Sequence, residues 1–391
     1  MKYKHAIVAL LLLARTSGLN SAQDEIAIDR DKLAKFIPVA LEGYTGEVLS
    51  ALRFDLEIQG FEITSLDKAQ YHISGSNASS LVGRVTDWIN KASLIAKEYT
   101  GGTPRTQAHA FADEIVEKLA NPPRKGVART KIAFKVDTGQ NSEIYMADYD
   151  GENQRRLTVQ KSLNINAKWS PDARSIAYSS YRRGVPNIFI SNIFQGTLEE
   201  LTKERVSNNV LPSWSPDGTR LCFASTRDGN FEIYVVNRDG SNLRRLTNHP
   251  SGDLTCTWSP SGTQIAFTSD RTGTPQIYIV GADGLGLQKL TSEPYADRAT
   301  WSPAPFNEVA YSARTGPGND IKVISLATRE VRQLTFGEGT NESPSWAPNG
   351  RHLAFTSTRS GKTQVFTIAR DGKNLKQITR TGNNYQPDWS R

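Results

Sequence analysis

Arg182, Arg227, Arg271 and Arg359 each stand four residues after an aromatic residue, and Arg314 stands three after its own. A matching place in the chain carries amides, acids and one phenol: Asn164, Asn209, Asp253, Asp297, Asn341, Glu342, Asn384 and Tyr385. Residues of these types can do two things. Guanidinium groups beside amides and carboxylates grip a protein loop through charge-assisted hydrogen bonds. Alternatively, Asp253, Asp297 and Glu342 could supply the paired carboxylates of a hydrolase acting on sugars or peptides. A third reading is architectural, with the repeated arginines tying one structural unit to the next through local ion pairs.

The rest of the sequence offers catalysis little support. It contains no Gly-Xaa-Ser-Xaa-Gly elbow, no Gly-rich phosphate loop ending in Gly-Lys-Ser/Thr and no His-Glu-Xaa-Xaa-His. Its five histidines, His5, His72, His109, His249 and His352, are scattered without ligand spacing. Asp148, Asp150 and Asn153 alternate in the manner of a calcium loop, but the bidentate acid that closes such a loop is missing, so a plain hairpin is expected. No catalytic residue, cofactor or metal is assigned.

The elements that must position these residues announce themselves through tryptophan. Trp169, Trp214, Trp258, Trp301, Trp346 and Trp389 are separated by 45, 44, 43, 45 and 43 residues. A fixed period of this length marks a supersecondary unit copied in tandem, each copy burying its apolar face against the next. Every copy holds a run such as Leu221-Cys222-Phe223, a second such as Ile233-Tyr234, then Leu246-Thr247, and finally the tryptophan strand. Each run is too short for a helix. Pro216-Asp217-Gly218 and Asp239-Gly240, with their counterparts elsewhere, supply the turns between them. Four short strands repeated six times predict an all-β six-bladed β-propeller over residues 126–391. The first copy lacks a tryptophan strand and the chain stops just after Trp389, so the C-terminal strand is expected to complete blade one. In this topology the arginine loops and the loops leading into the tryptophan strands share one face, the propeller mouth.

Residues 1–22 read as a secretory signal: Lys2, Lys4 and His5, an apolar stretch from Ala6 to Ala14 too short to span a bilayer, then small polar residues to Ala22. Removing it takes away Lys2, Lys4 and Arg15, which lowers the net charge from +7 to +4 (7 − 3). A mildly basic exported chain with acids throughout carries no nucleic-acid footprint. Cys222 and Cys256 fall in neighbouring copies; Cys222 replaces a residue that is alanine in the other copies, so two buried thiols are expected, with a bridge as the alternative. Residues 23–125 mix strand and helix spacing. Strands are expected at 36–41, 62–63, 72–75, 82–85 and 93–96, and helices at 44–56 and 106–119. The prediction is a small N-terminal α/β domain joined to the propeller by a short stiff link, Asn121-Pro122-Pro123-Arg124-Lys125-Gly126.

Particular stretches carry a resemblance. His109-Ala110-Phe111-Ala112-Asp113-Glu114-Ile115-Val116, then Arg129 to Phe134, Glu143 to Tyr145, Arg155 to Thr158 and Trp214 to Gly218 make the chain resemble the TolB family of Tol-Pal systems. The resemblance implies a non-enzymatic periplasmic adaptor, peripheral to membranes and not inserted in them. It implies that the mouth, with Asn164, Asn209, Asp253, Asp297, Asn341, Glu342, Tyr385, Arg227, Arg271 and Arg359, binds a peptidoglycan-associated (Pal-like) lipoprotein. It implies further that the segment after the signal, with Ile26, Ala27, Ile28 and Asp29, binds a TolA-like inner-membrane protein. Such an adaptor supports outer-membrane integrity and constriction during cell division.

Overall fold

The computed structural model describes residues 36–121 and 123–391. The signal and the N-terminal segment with Ile26, Ala27, Ile28 and Asp29 lie outside the described residues.

The first domain is built on a five-stranded sheet. Its chain order is β1 (Ile37–Glu42), α1 (Gly46–Ile58), β2 (Phe61–Ile63), β3 (Tyr71–Ser76), β4 (Leu81–Asp87), β5 (Ser93–Tyr99) and α2 (Pro104–Leu119), and the strands lie in the order β2-β1-β3-β4-β5. β1 pairs parallel with β2 and β3, and the later pairings are antiparallel. α2 begins where the sequence gives it a start: Pro104 is pre-set for the first turn, and the Thr103 hydroxyl accepts from the Thr106 amide at 3.2 Å. Its apolar stripe of Ala108, Phe111, Ala112 and Ile115 is fully buried. Gly83 on β4 makes room for this, since a Cβ there would stand 2.7 Å from the Phe111 ring.

Six four-stranded antiparallel sheets follow. In blade two the order from the channel outward is Asn164–Trp169, Ser175–Arg183, Val185–Asn192 and Thr197–Glu200. The other blades repeat it. Phe134, Tyr178, Phe223, Phe267, Tyr311 and Phe355, one per blade, are fully buried between sheets, and each such ring contributes on the order of 3 kcal/mol of burial. The ring closes through the C-terminal strand Asn384–Trp389, which pairs with Lys131–Asp137 (Trp389 opposite Ile132, Tyr385 opposite Lys135). The Trp389 indole N–H donates to Thr130 Oγ1 at 2.7 Å. Cys222 and Cys256 are free buried thiols in the core between blades three and four; burial, with Cys256 close by, pushes the Cys222 thiol well up.

Ile37–Arg391 form one compact unit. A single apolar cluster runs from Leu52, Leu56 and Ile115 of the helices through Val127 and Tyr149 to Ile378 and Trp389 of the propeller. The first domain therefore covers the hairpin side of blades one and six. Among the described residues, the opposite face, where the arginine loops lie, is left open.

Candidate functional site

Each blade is pinned at its mouth end by one repeated polar staple. The Thr of every Leu-Thr or Ile-Thr pair is buried, and its Oγ1 accepts the amide of the third strand's first apolar residue. The distances are 2.8–3.0 Å for Ile144, Ile188, Ile233, Ile277, Ile321 and Val365. The same hydroxyl donates to the residue just before: Glu143, Asn187, Glu232, Gln276, Asp320 or Gln364. A buried amide N–H and a buried acceptor are satisfied by one side chain. Burial raises the Asp320 carboxyl, but hydrogen bonds from Thr315, Gly337, Thr335 and Asn341 outweigh it and hold the group below its ordinary value.

The mouth residues expected from the sequence fall into two positions on the inner strand. The first position, Asn164, Asn209, Asp253, Asn341 and Asn384, is fully buried. Its amides extend the staple: Asn164 Nδ2 donates to Glu143 at 2.9 Å, Asn209 to Asn187 at 3.1 Å, Asn341 to Asp320 at 3.0 Å and Asn384 to Gln364 at 2.9 Å. Blade five has Ala296 at this position. Asp297, Glu342 and Tyr385 belong to the second position, one residue on, and are partly exposed at the channel mouth. Asp297 accepts from Thr268 at 2.8 Å, Thr255 at 3.0 Å and Tyr295 at 3.2 Å. Burial and the Asp297 charge push the Tyr295 hydroxyl up to about 12. Glu342 accepts from Asn319 at 2.7 Å, and Tyr385 lies under Lys135.

Three of the arginines serve the first position. Arg227 donates to Asn209 Oδ1 at 3.2 Å, Arg359 to Asn341 Oδ1 at 3.0 Å, and Arg271 holds both oxygens of Asp253 at 3.0 and 2.9 Å. Each also donates through Nε to a serine of its own second strand and lies against two rings, such as Phe267 and Tyr278 for Arg271. They set the rim rather than reach from it. Burial raises the Asp253 carboxyl, against hydrogen bonds from Ser269, Thr247 and Arg271.

Sequence reasoning missed a ring deeper in the channel. Asn166, Leu211, Thr255, Arg298, Ser343 and Gln386, one per blade, all have φ between 47° and 59° at a bulge of the inner strand. Left-handed backbone at non-glycine residues costs about 1 kcal/mol each. Preceding blades hold it in place: Ser179 Oγ accepts from Leu211 N at 3.0 Å, Ser312 Oγ from Ser343 N at 3.1 Å and Thr356 Oγ1 from Gln386 N at 3.0 Å. Beyond it, the six repeat tryptophans surround a space of about 100 Å³ toward the hairpin face.

A second polar cluster joins the two domains. His109 Nδ1 lies 2.8 Å from Asp55 Oδ2, and Tyr149 donates to Asp55 Oδ1 at 2.7 Å. His109 Nε2 is buried without a hydrogen-bond partner and stands 3.7 Å from Asp150 and 4.0 Å from Asp148. Arg105 pairs with Asp150 and Lys131 with Asp148. Three carboxylates face two fixed cations, so the cluster is neutral when it holds one proton between His109 and Asp55. Burial raises the Asp55 carboxyl against the hydrogen bond and charge of His109 and the hydrogen bond of Tyr149, and the pair stands as imidazolium and carboxylate. Burial opposes the imidazolium charge, but the hydrogen bond and charge of Asp55, then Asp150, outweigh it and raise the His109 pKa. Asp55, His109 and Asp150 bring ligand-type atoms within 4.8 Å of one another, yet Nδ1 is engaged by Asp55 and Asp150 by Arg105, which makes this an ion-pair network. One signal was available: Val48, Leu52, Asp55 and Leu56 share a helical stripe, placing Asp55 among core residues.

The molecule is of the class of six-bladed β-propellers that carry an α/β domain before the propeller. Residues 116–391 match the family model of the TolB beta propeller domain. The chain is 32% identical over 309 residues to the Tol-Pal system protein TolB of Bordetella pertussis, covering 78% of this chain and 70% of that protein. It is 34% identical to the TolB of Desulfosudis oleivorans, and 37% identical to a TolB homolog of Chlorobaculum tepidum, over stretches that span only 28% and 26% of those relatives. The crystal structure of TolB from Acinetobacter baumannii superimposes with a TM-score of 0.79 at 22% identity, covering 91% of this chain and 97% of that one. The chain belongs to the TolB family of Tol-Pal system proteins.

Proposed function

We propose that the protein is a non-enzymatic periplasmic adaptor. Its propeller mouth binds a peptidoglycan-associated lipoprotein, and its N-terminal segment, with Ile26, Ala27, Ile28 and Asp29, binds a TolA-like inner-membrane protein. In this role it supports outer-membrane integrity and constriction at division. The observation that carries the reading is the state of the mouth carboxylates. Asp253 is closed off by Arg271, and Asp297 is saturated by hydroxyl donors. Neither is poised as a general acid or base, while the rim they brace faces away from the first domain. This disfavours the hydrolase reading. Among the described residues no helix is long and apolar enough to cross a membrane.

The test is direct binding of the mature chain to the soluble domain of the lipoprotein encoded by the same genome. Asp297→Ala, Glu342→Ala and Tyr385→Ala are the variants. Binding that weakens with these substitutions supports the reading, and a mature chain that does not bind contradicts it. Deleting residues 23–31 should abolish capture of the inner-membrane partner and leave lipoprotein binding unchanged; capture that survives the deletion removes the N-terminal half of the proposal.

A further inference from the structure

The mouth rim differs from one side to the other. Val159, Leu163, Tyr181 and Val206 are 61, 43, 36 and 87% exposed, and all lie in three loops of the mouth face around blade two and the start of blade three. The Tyr181 amide donates to Leu163 O at 3.0 Å, and Asn187 Nδ2 donates to Glu204 O at 2.9 Å, so the three loops adjoin. Loops 157–163 and 202–208, with the strand ends and turn at 181–185, contain Lys161, Arg182, Arg183, Lys203 and Arg205 against Glu204 alone. Glu204 is paired with Arg227 at 3.4 Å and Arg183 with Glu200 at 3.2 Å. Lys161, Arg182, Lys203 and Arg205 are exposed and form no ion pair among the described residues. Across the mouth, loops 291–295 and 335–340 carry Glu293 and Glu338, paired with Lys322 at 2.8 Å and Arg359 at 2.7 Å, together with the exposed Phe336, and the arginine turns there add Arg314 and Lys362, so the surplus of cations is smaller on that side.

Arg182 has been released from the role its counterparts play. Where Arg227 and Arg359 donate to the buried amide oxygen of their blades, Asn164 Oδ1 is buried with no partner. The second strand of blade two runs from Ser175 to Arg183, nine residues against six in blade three, and the Arg182 guanidinium keeps the contact with the Phe189 ring at 5.4 Å but not a hydrogen bond to Asn164. A buried amide oxygen left without a donor is destabilising. That unsatisfied oxygen sits beside a guanidinium that has no ion pair among the described residues and beside an exposed apolar patch.

We propose that the blade two and three sector of the rim is the docking surface for an acidic protein face. Partner carboxylates reach Arg182, Lys203 and Arg205, and an apolar side chain seats among Val159, Leu163, Tyr181 and Val206. The surplus of unpaired cations on this sector orients an acidic partner across the mouth, since a positive patch steers and registers a negative one. This rests on the mouth-binding reading above and states where on the mouth the partner sits and what chemistry it presents.

The experiment measures affinity of the full mature chain for the lipoprotein's soluble domain by calorimetry at low and moderate salt. It compares the unmodified protein with Arg182→Glu, Lys203→Glu, Val206→Asp and, as control, Glu338→Lys. Vesicles of phosphatidylglycerol form a parallel arm, and circular dichroism checks the fold of each variant. Charge reversal at Arg182 or Lys203 should weaken lipoprotein binding at least tenfold, Val206→Asp similarly, and Glu338→Lys less than threefold. The charge effects should shrink as salt rises. If the unmodified protein does not bind the lipoprotein, the mouth-binding reading fails and this proposal with it. If it binds and the sector variants bind equally well, the reading stands and this proposal is overturned. Sector variants that lose vesicle binding while keeping lipoprotein affinity assign the patch to a membrane and also overturn it.

Discussion

Replacing Asp55 by asparagine removes the negative charge at the centre of the interdomain cluster while keeping its shape. In the native protein His109 and Tyr149 both donate to this carboxylate, one to each oxygen. An asparagine offers one acceptor oxygen and an amino group, so a protonated His109 would face a donor or Tyr149 would lose its acceptor. Removing one partner of a buried pair costs about 3–5 kcal/mol. The lower figure is expected here, because His109 can release its proton. The pH dependence follows with a definite sign. The His109 pKa is raised in the folded protein, so its stabilisation is complete below its ordinary value of about 6.5 and is lost as pH rises through the folded value, by about 1.4 kcal/mol per pH unit. Asp55→Asn removes that slope. Urea unfolding of both proteins at pH 6 and pH 8.5 should show a gap of about 3 kcal/mol at the lower pH that narrows at the higher. The continuous core across the domain junction makes the measurement meaningful, since helices and propeller should unfold together. A gap below about 1 kcal/mol, or one of equal size at both pH values, would refute the assignment of His109 as a buried imidazolium.

Further expectations concern the propeller. Trp389→Ala should cost about 3–5 kcal/mol, as a core tryptophan does, and should match Trp214→Ala within about 1 kcal/mol; a much smaller effect from the terminal residue would contradict closure of blade one by the C-terminal strand. Thr335→Val strands the Ile321 amide and withdraws a donor from Asp320, and chemical denaturation should register a loss of about 2 kcal/mol. The arginines should separate by partner. Arg271→Ala leaves Asp253 as an uncompensated buried charge and should cost about 3 kcal/mol, with the deficit shrinking in acid as Asp253 protonates. Arg227→Ala faces a neutral amide and should cost about 1 kcal/mol. Arg182→Ala should change stability by less than about 0.5 kcal/mol, and equal losses for all three would contradict their division into rim braces and a free binding group.

What the sequence disclosed and what it hid differ by physical type. The tryptophan period, the Pro-Asp-Gly and Asp-Gly turns and the missing first tryptophan strand are local or periodic signals, and they sufficed for the blade count and the closure by Asn384–Trp389. The strands and helices of the first domain were legible from spacing for the same reason. Side-chain direction at the mouth was not. Asn209 and Tyr385 are near neighbours in the repeat, yet one is buried beneath the staple and the other borders the channel, and a shift of one residue along a strand reverses which way a side chain points. Asp297 entered the mouth set because blade five has Ala296 where its sisters carry an amide or acid. The bulged ring at Leu211, Ser343 and Gln386 left no trace, since positive φ there is held by hydroxyls of the preceding blade. His109 and Asp55 are 54 residues apart, and only folding of the two helices brings them together.

On the proposed function, a partner lipoprotein occupies the mouth face, opposite the first domain. Hydrogen exchange of the mature chain, alone and saturated with the lipoprotein's soluble domain, tests it most directly. The account expects new protection in loops 157–163, 202–208, 291–295 and 335–340, and none at the Pro216-Asp217-Gly218 and Asp239-Gly240 hairpins. Protection confined to the hairpin face, or none in either place at saturating ligand, would contradict it.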